Sequence, residues 1–186
     1  MRWIVFIILT FLVLVLQVTF GAFIRLRGLV IHGVGPDLLA ILGVFVALNA
    51  RSAADAMLAA WTLGFALDLM AIGGPGGGTA VGPMALGYVL ASAAVYRLRG
   101  ALLTERILAQ VFITFGFCII AHFAWVTLQS ALSLRYTTWA DYARMLLQAA
   151  ALSVYTALLA PLLYFGLRRI GKLFIAAPPP RLRRAY

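Results

Sequence analysis

The sequence predicts an all-α integral membrane protein, a bundle of six transmembrane helices, and two observations support this fold class. First, 65% of the 186 residues are apolar and 11% are charged, whereas soluble domains contain about 45–50% apolar and about 25% charged residues. Second, the mean hydropathy is +1.04, and the apolar residues form runs long enough to cross about 30 Å of hydrocarbon. A soluble domain of this length has no means of burying so much apolar surface, so lipid must cover part of it.

The predicted helices follow the apolar runs in order. The first, about Ile4 to Phe23, is predicted to be retained, because it exceeds the roughly 7–15 residues of a signal-peptide core and no small-residue cleavage site follows. The second, about Asp37 to Ala50, is short for a span. It is either a tilted helix or a re-entrant segment, so five spans are the alternative to six. The other four are expected near Ala54 to Ile72, Thr79 to Tyr96, Ile107 to Leu132 and Tyr142 to Leu167.

The positive charges predict an orientation in which both termini are cytoplasmic. Arginines make up 14 of the 15 basic residues and cluster in the breaks between apolar runs, as they do in cytoplasmic membrane loops. With six spans, 11 basic residues lie inside and only four lie outside, namely Arg25, Arg27, Arg135 and Arg144. The formal net charge of +10 therefore indicates a membrane surface and not nucleic acid, because no groove or sheet is predicted to carry it.

The chain is predicted to form a single transmembrane domain over residues 1–172 and a short basic, Pro-rich cytoplasmic tail over residues 173–186. The tail contains Pro178-Pro179-Pro180, which cannot continue a helix. Six basic residues at this end are expected to contact anionic lipid or a cytoplasmic partner. They are Arg168, Arg169, Lys172, Arg181, Arg183 and Arg184.

Two carboxylates in the predicted spans are the main candidates for function, because ionisable groups at membrane depth are costly. Asp37 opens the second helix and Asp68 lies near the outer end of the third, so both are expected at one membrane level. Asp68 continues a four-residue repeat of Ala56, Ala60 and Gly64, a small-residue stripe that lets another helix approach closely. Packing inside the bundle and contact with a partner are the two interpretations of the stripe. Asp68 has three interpretations: pairing with an outer arginine or with loop amides, contact with a ligand or partner, and proton or ion coupling.

The sequence contains no catalytic, metal or cofactor motif. His122 has no second His or carboxylate three or four residues away, and the lone Cys118 excludes an intramolecular disulfide. The run Gly73 to Gly78 lacks the Gly-Lys-Ser/Thr of a phosphate loop, and is predicted to reverse the chain between two helices. His122, the glutamines and the hydroxyl residues are expected to form hydrogen bonds between helices. The residues therefore argue against an intramembrane hydrolase.

A set of short motifs occurs in order between Gly35 and Arg99. They are Pro36-Asp37-Leu38-Leu39, a basic turn at Arg51, Gly64-Phe65-Ala66-Leu67-Asp68-Leu69, a Gly-rich reversal from Gly73, and Gly87-Tyr88 ahead of Arg97 and Arg99. This third of the chain resembles the rod shape-determining protein MreD family, with one departure: the reversal is long, where a Leu-Gly pair usually follows. The family pattern singles out Pro36, Asp37, Gly64, Phe65, Asp68, Leu69, Gly73, Gly74 and Tyr88.

The resemblance implies a non-enzymatic scaffold of the bacterial cell-elongation machinery, located in the bacterial inner membrane. Its fold would be similar to that of the substrate-binding subunits of energy-coupling-factor vitamin transporters. Its main partner would be MreC, and the wider assembly includes MreB, RodA and a class B penicillin-binding protein. We hypothesise that the bundle docks the transmembrane part of MreC and that Asp37 and Asp68 organise the outer end.

The alternative function is solute capture, as the substrate-binding subunit of such a vitamin transporter. These subunits resemble one another in an Ala-x-x-x-Ala face on the first helix, which docks the energy-coupling module. The segment from Ile4 to Phe20 contains neither Ala nor Gly. This absence favours the scaffold over the transporter subunit.

Overall fold

The computed structural model describes residues 2–23, 26–28, 31–34, 36–71, 80–100, 107–132 and 138–174. Six helices lie within these residues: α1 (Trp3–Phe23), α2 (Leu38–Asn49), α3 (Ala53–Ala71), α4 (Pro83–Leu98), α5 (Ile107–Leu132) and α6 (Trp139–Phe174). Between α1 and α2, strands β1 (Leu26–Gly28) and β2 (Ile31–Val34) pair antiparallel as a short hairpin.

Three of these helices are long and apolar enough to cross a membrane, over Ala53–Met70, Ile107–Leu132 and Trp139–Arg169. The chain is thus a helical membrane protein, as the composition predicts. The predicted bounds of α5 are confirmed at both ends, whereas α6 begins three residues before the predicted Tyr142 and continues to Phe174. That end lies two residues beyond the expected domain boundary at residue 172. The hairpin was not predicted from the sequence.

Helix α2 forms the centre of the bundle. It has 12 residues, about 18 Å at 1.5 Å per residue, and every residue from Leu38 to Ala47 is buried. It packs against each of the other five helices within the described residues. An apolar helix buried on all sides has no face turned to lipid. Its two ends are therefore held by protein groups.

The C-terminal end of α2 is held by the end of α4. The backbone carbonyl of Ala50 accepts a hydrogen bond from the Arg99 guanidinium at 2.5 Å, and the Arg99 guanidinium lies 3.9 Å from the centroid of the Tyr96 ring. The Tyr96 hydroxyl donates to the carbonyl of Arg51 at 3.3 Å. A cation satisfies a terminal carbonyl of a helix and also complements the helix dipole. These contacts fix where α2 turns into α3.

Small residues let α3, α4 and α5 pack closely side by side. A Cβ atom added at Gly64 of α3 would lie 2.6 Å from both the Cα of Ala85 and the carbonyl oxygen of Met84 in α4. On the other side of α4, a Cβ at Gly87 would collide with the carbonyl oxygen of Ala121 in α5. The small-residue stripe of α3 is therefore filled by α4. Of its two interpretations, packing inside the bundle is the one that the structure has.

Candidate functional site

Polar side chains from four elements meet at the N-terminal end of α2. The cluster contains Asp37 ahead of α2, Tyr88 from α4, His122 from α5, and Ser153 and Thr156 from α6. None of the five is more than 4% exposed. Polar groups in a membrane interior are costly unless they bind one another, so the contacts within this cluster determine what it does.

Asp37 is the hub of the cluster. Its Oδ1 accepts a hydrogen bond from the backbone N–H of Ala40 at 3.0 Å. Its Oδ2 accepts one from the Tyr88 hydroxyl at 2.5 Å and lies 3.5 Å from Nε2 of His122. Its backbone N–H donates to Oγ1 of Thr156 at 3.0 Å. One residue thus connects α2, α4, α5 and α6.

The local sequence explains why Asp37 takes this position. It follows the buried Pro36 and has the extended backbone of a helix N-cap, with φ −92° and ψ 92°. An aspartate at this position satisfies one of the free N–H groups of the first helical turn. A second such group, the N–H of Leu39, donates to Oε1 of Gln17 in α1 at 3.2 Å. The apolar start of α2 is therefore capped from two sides.

Aromatic packing and a backbone carbonyl hold the two ring partners of Asp37. The Tyr88 ring meets Phe117 edge to face, with centroids 5.2 Å apart. Nδ1 of His122 lies 2.7 Å from the carbonyl oxygen of Cys118, one turn earlier in α5. Both rings are thereby directed at the same carboxylate. The predicted role of His122 in contact between helices agrees with this arrangement.

Asp68 belongs to a separate arrangement at the start of α4. Its Oδ2 accepts hydrogen bonds from the backbone N–H groups of Gly82 and Ala85 at 2.9 and 3.2 Å. Its Oδ1 accepts one from Met84 at 3.3 Å. Gly82 has φ +118°, a conformation that glycine adopts without strain. Asp68 thus caps α4 from α3, which is the pairing with amides that the sequence left open.

The two carboxylates bind different positions along the α4 region, and the expectation that they share one membrane level stays a prediction. Tyr88, the partner of Asp37, comes six residues after Gly82, the partner of Asp68. Six residues of α-helix correspond to about 9 Å along the axis.

The other family-pattern residues divide between surface and interior. Phe65 is half-buried and stacks on Trp61, with centroids 5.1 Å apart and ring planes at 7°. Leu69 is 49% exposed. Gly64 and Pro36 are buried. Gly73 and Gly74 lie outside the described residues.

Only part of the predicted basic surface can be described. Arg168 and Arg169 are exposed near the C-terminal end of α6, and the Arg169 guanidinium lies 4.7 Å from the centroid of the Phe165 ring. Lys172 belongs to α6, but its side chain is outside the described part, as are Arg181, Arg183 and Arg184.

The sequence analysis did not place Ser153 and Thr156 at the site. Their spacing of three residues puts both on one face of α6, and this was the available signal. The general prediction of hydrogen bonds between helices is wrong for some hydroxyls, which donate to a carbonyl four residues earlier in their own helix. These include Thr10, Thr19 and Thr127.

The chemistry available to the cluster is proton binding and polar contact between helices. Among the described residues, no three His, Cys, Asp or Glu side chains are grouped so as to hold a metal ion. The carboxylate of Asp37 and the hydroxyl of Tyr88 are hydrogen-bonded to each other, so these groups stabilise the packing of the helices. No family model, curated protein or solved structure matches the chain. Its function is therefore inferred from its residues and their contacts.

Proposed function

We propose that this protein is a non-enzymatic membrane scaffold of the bacterial cell-elongation machinery, of the MreD type, and that it binds MreC. The supporting observation is that the motifs behind the resemblance are one another's partners. Asp37 of the first motif binds Tyr88 of the last, and Gly64 and Asp68 of the middle motif contact residues 82–85 at the start of α4. Motifs that are scattered along the sequence thus contact one another and hold α2, α3 and α4 together.

In this proposal all six helices are embedded in the inner membrane, with both termini in the cytoplasm. Helices α2 and α4 have 12 and 16 residues, about 18 and 24 Å, which is short for a hydrocarbon core of about 30 Å. Asp37 caps the N-terminal end of α2 and Asp68 caps that of α4, so these ends meet polar protein groups and not lipid. The similarity to transporter substrate-binding subunits is part of this proposal.

The buried motif residues contact other residues of the bundle. They therefore affect MreC binding indirectly, by fixing the positions of the helices. Two family-pattern residues reach the surface of α3, Phe65 and Leu69. Together with Trp61, which is 44% exposed, they follow one another at four-residue spacing on one face of the helix. We call Trp61, Phe65 and Leu69 the α3 surface stripe. Exposed aromatic side chains contribute strongly to interfaces, so the stripe is the proposed contact for the transmembrane helix of MreC.

The proposal is tested by purifying the tagged protein from its native membranes and identifying the co-purified proteins by mass spectrometry. A single-span MreC-like protein is the expected partner. ATPase subunits with a coupling membrane protein would instead establish the transporter alternative and overturn the scaffold. The pairing of the cluster groups with one another and the lack of Ala and Gly from Ile4 to Phe20 both favour the scaffold.

The contact surface is tested by Trp61→Ala with Phe65→Ala. Loss of two interface aromatics should lower the affinity for MreC about tenfold, at about 1.4 kcal/mol per tenfold. The matched control is Phe112→Ala, a phenylalanine on α5 that is 71% exposed. Equal losses in the control and in the α3 variant would refute the surface assignment while leaving MreC binding itself in place.

The role of the carboxylates is tested by Asp68→Asn, alone and with Asp37→Asn. MreC recovery should fall while the protein still inserts and accumulates, because α4 and α2 lose part of their caps. Unchanged recovery with both replaced would rule out this role.

Truncation after Phe174, where α6 ends, should reduce contact with MreB or anionic lipid and leave MreC recovery intact.

A further inference from the structure

The positions of hydrogens in the buried cluster follow from the chemistry of the neighbouring atoms. Nδ1 of His122 lies 2.7 Å from the carbonyl oxygen of Cys118 and 3.5 Å from Oγ of Ser153. A carbonyl oxygen can only accept a hydrogen bond. The Ser153 hydroxyl already donates to the carbonyl of Ala149 at 2.7 Å, so it offers Nδ1 a lone pair. Nδ1 must therefore carry a hydrogen.

The other ring nitrogen faces a carboxylate whose oxygens both accept hydrogen bonds. Nε2 of His122 lies 3.5 Å from Oδ2 of Asp37. Oδ2 accepts from the Tyr88 hydroxyl, and Oδ1 accepts from the N–H of Ala40. With no proton between Nε2 and Oδ2, two lone pairs would face each other and the cluster would keep an unpaired negative charge. Both conditions are unfavourable in a membrane interior.

We propose that Asp37 and His122 form a single-proton binding site inside the bundle, and that this proton holds α5 against the N-terminal end of α2. One proton makes the pair neutral overall, whether it resides on the imidazole or on the carboxyl group. Its release leaves a negative charge among packed helices, so protonation and the packing of α2 against α5 are coupled. The site is independent of the proposed scaffold function.

Every element around the pair contributes a group to its environment. Two of these groups are ionisable, Tyr88 from α4 and Cys118 from α5, and both are buried. Three are polar without being ionisable: Gln17 from α1, and Ser153 and Thr156 from α6. Four of these groups are buried and Gln17 is partly buried, so a proton entering the pair changes the charge of a cluster that is mostly enclosed by protein.

The test uses nitrogen NMR of the full chain in lipid nanodiscs. The sequence contains two histidines, so His32→Gln leaves His122 as the one imidazole. We expect Nδ1 to carry a hydrogen at every pH at which the protein is folded, and Nε2 to be either protonated or hydrogen-bonded to a proton on the Asp37 carboxyl group. A neutral ring with its hydrogen on Nε2 and none on Nδ1 would overturn the proposal.

Substitutions then test the partnership with Asp37. Asp37→Asn should lower the proton affinity of His122 about tenfold or more, because the imidazolium loses its counter-charge. Tyr88→Phe should raise it about threefold, because the carboxylate loses a donor that stabilises its charge. Thr156→Val is the control, since it changes a contact to the backbone of Asp37 and leaves the pair intact.

Unchanged proton affinity in both Asp37→Asn and Tyr88→Phe would overturn the proposal. So would a change in Thr156→Val as large as that in Asp37→Asn, because it would assign the effect to packing. If Asp37→Asn does not fold, Tyr88→Phe and the hydrogen position in the parent chain decide the question by themselves.

Discussion

Asp37 and Asp68 both cap the start of a helix, yet their partners differ in kind. Asp68 accepts three hydrogen bonds from backbone N–H groups at the start of α4. Asp37 accepts one from a backbone N–H, one from the phenol of Tyr88, and faces the imidazole of His122. Backbone amides do not ionise, whereas phenol and imidazole do. The partners of a carboxylate thus decide its role. Asp68 forms a cap of fixed charge, which we call the fixed cap, and Asp37 forms a titratable cluster with Tyr88 and His122.

The largest effect should come from removing the fixed cap. Asp68→Ala leaves three N–H groups without an acceptor next to the buried Ala85, and should cost about 4 kcal/mol of unfolding free energy. Asp68→Asn should cost about half as much, because one oxygen remains to accept. Unfolding in mixed micelles measures both. A cost for Asp68→Ala no larger than that for Asp68→Asn would show that the three hydrogen bonds do not carry the stability of this region.

The second effect tests whether close packing supports the same region. Gly64→Ala places a Cβ 2.6 Å from backbone atoms of α4, so the two helices must separate, at about 3 kcal/mol. The control is Gly116→Ala in α5, where nothing lies within 4 Å of the added Cβ. The control should be neutral or slightly stabilising, since alanine favours helix. Equal stability of the two variants would contradict the close approach of α3 and α4.

The third effect concerns the titratable cluster. Tyr88→Phe removes the hydroxyl that donates to Asp37 and should cost about 1.5 kcal/mol. Its control is Tyr96→Phe, because that hydroxyl is on the exposed side and donates to Arg51 at 3.3 Å. The control should change stability little. Thermal unfolding of both variants side by side measures the difference, and a larger loss in Tyr96→Phe would refute the central role of Asp37.

The smallest effect separates packing from charge within the cluster. Thr156→Val deprives the N–H of Asp37 of its acceptor and should cost about 1 kcal/mol. Thr127→Val on α5 is the control, because its exposed hydroxyl binds the carbonyl of Phe123 in its own helix. Denaturant unfolding of both, repeated at two pH values, should give a pH-independent difference. A difference that varies with pH would show that the Thr156 hydroxyl affects the proton bound by Asp37 and His122.

The helix positions were largely predictable because their signals are local. The apolar run from Ile107 to Leu132 gives α5 with the predicted bounds, and Pro36-Asp37 marks the start of α2, since aspartate is a strong N-cap. The start of α4 at Pro83 follows Gly82 with its positive φ, later than the apolar run suggested. There the backbone conformation, and not hydropathy, decides where the helix begins.

The candidate site was predictable only in part. Asp37, Asp68 and Tyr88 were found through polarity and motif, and Gly64 through its spacing in a stripe. The partners of Asp37 on α5 and α6 were not, because His122 and Thr156 are 85 and 119 residues away along the chain. The sequence does not show whether a Ser or Thr hydroxyl forms a hydrogen bond to another helix or to a carbonyl of its own helix.

The sequence by itself determined that this is a helical membrane protein, where its helices run, and which few polar residues carry the cost of burial. Those properties depend on composition, hydropathy and caps, which act over a few residues. The tertiary structure alone decided that α2 is enclosed, that Asp68 caps α4, and that Asp37 meets Tyr88 and His122. These depend on how helices distant in the chain pack, because a buried carboxylate is stable only where several helices supply its partners together.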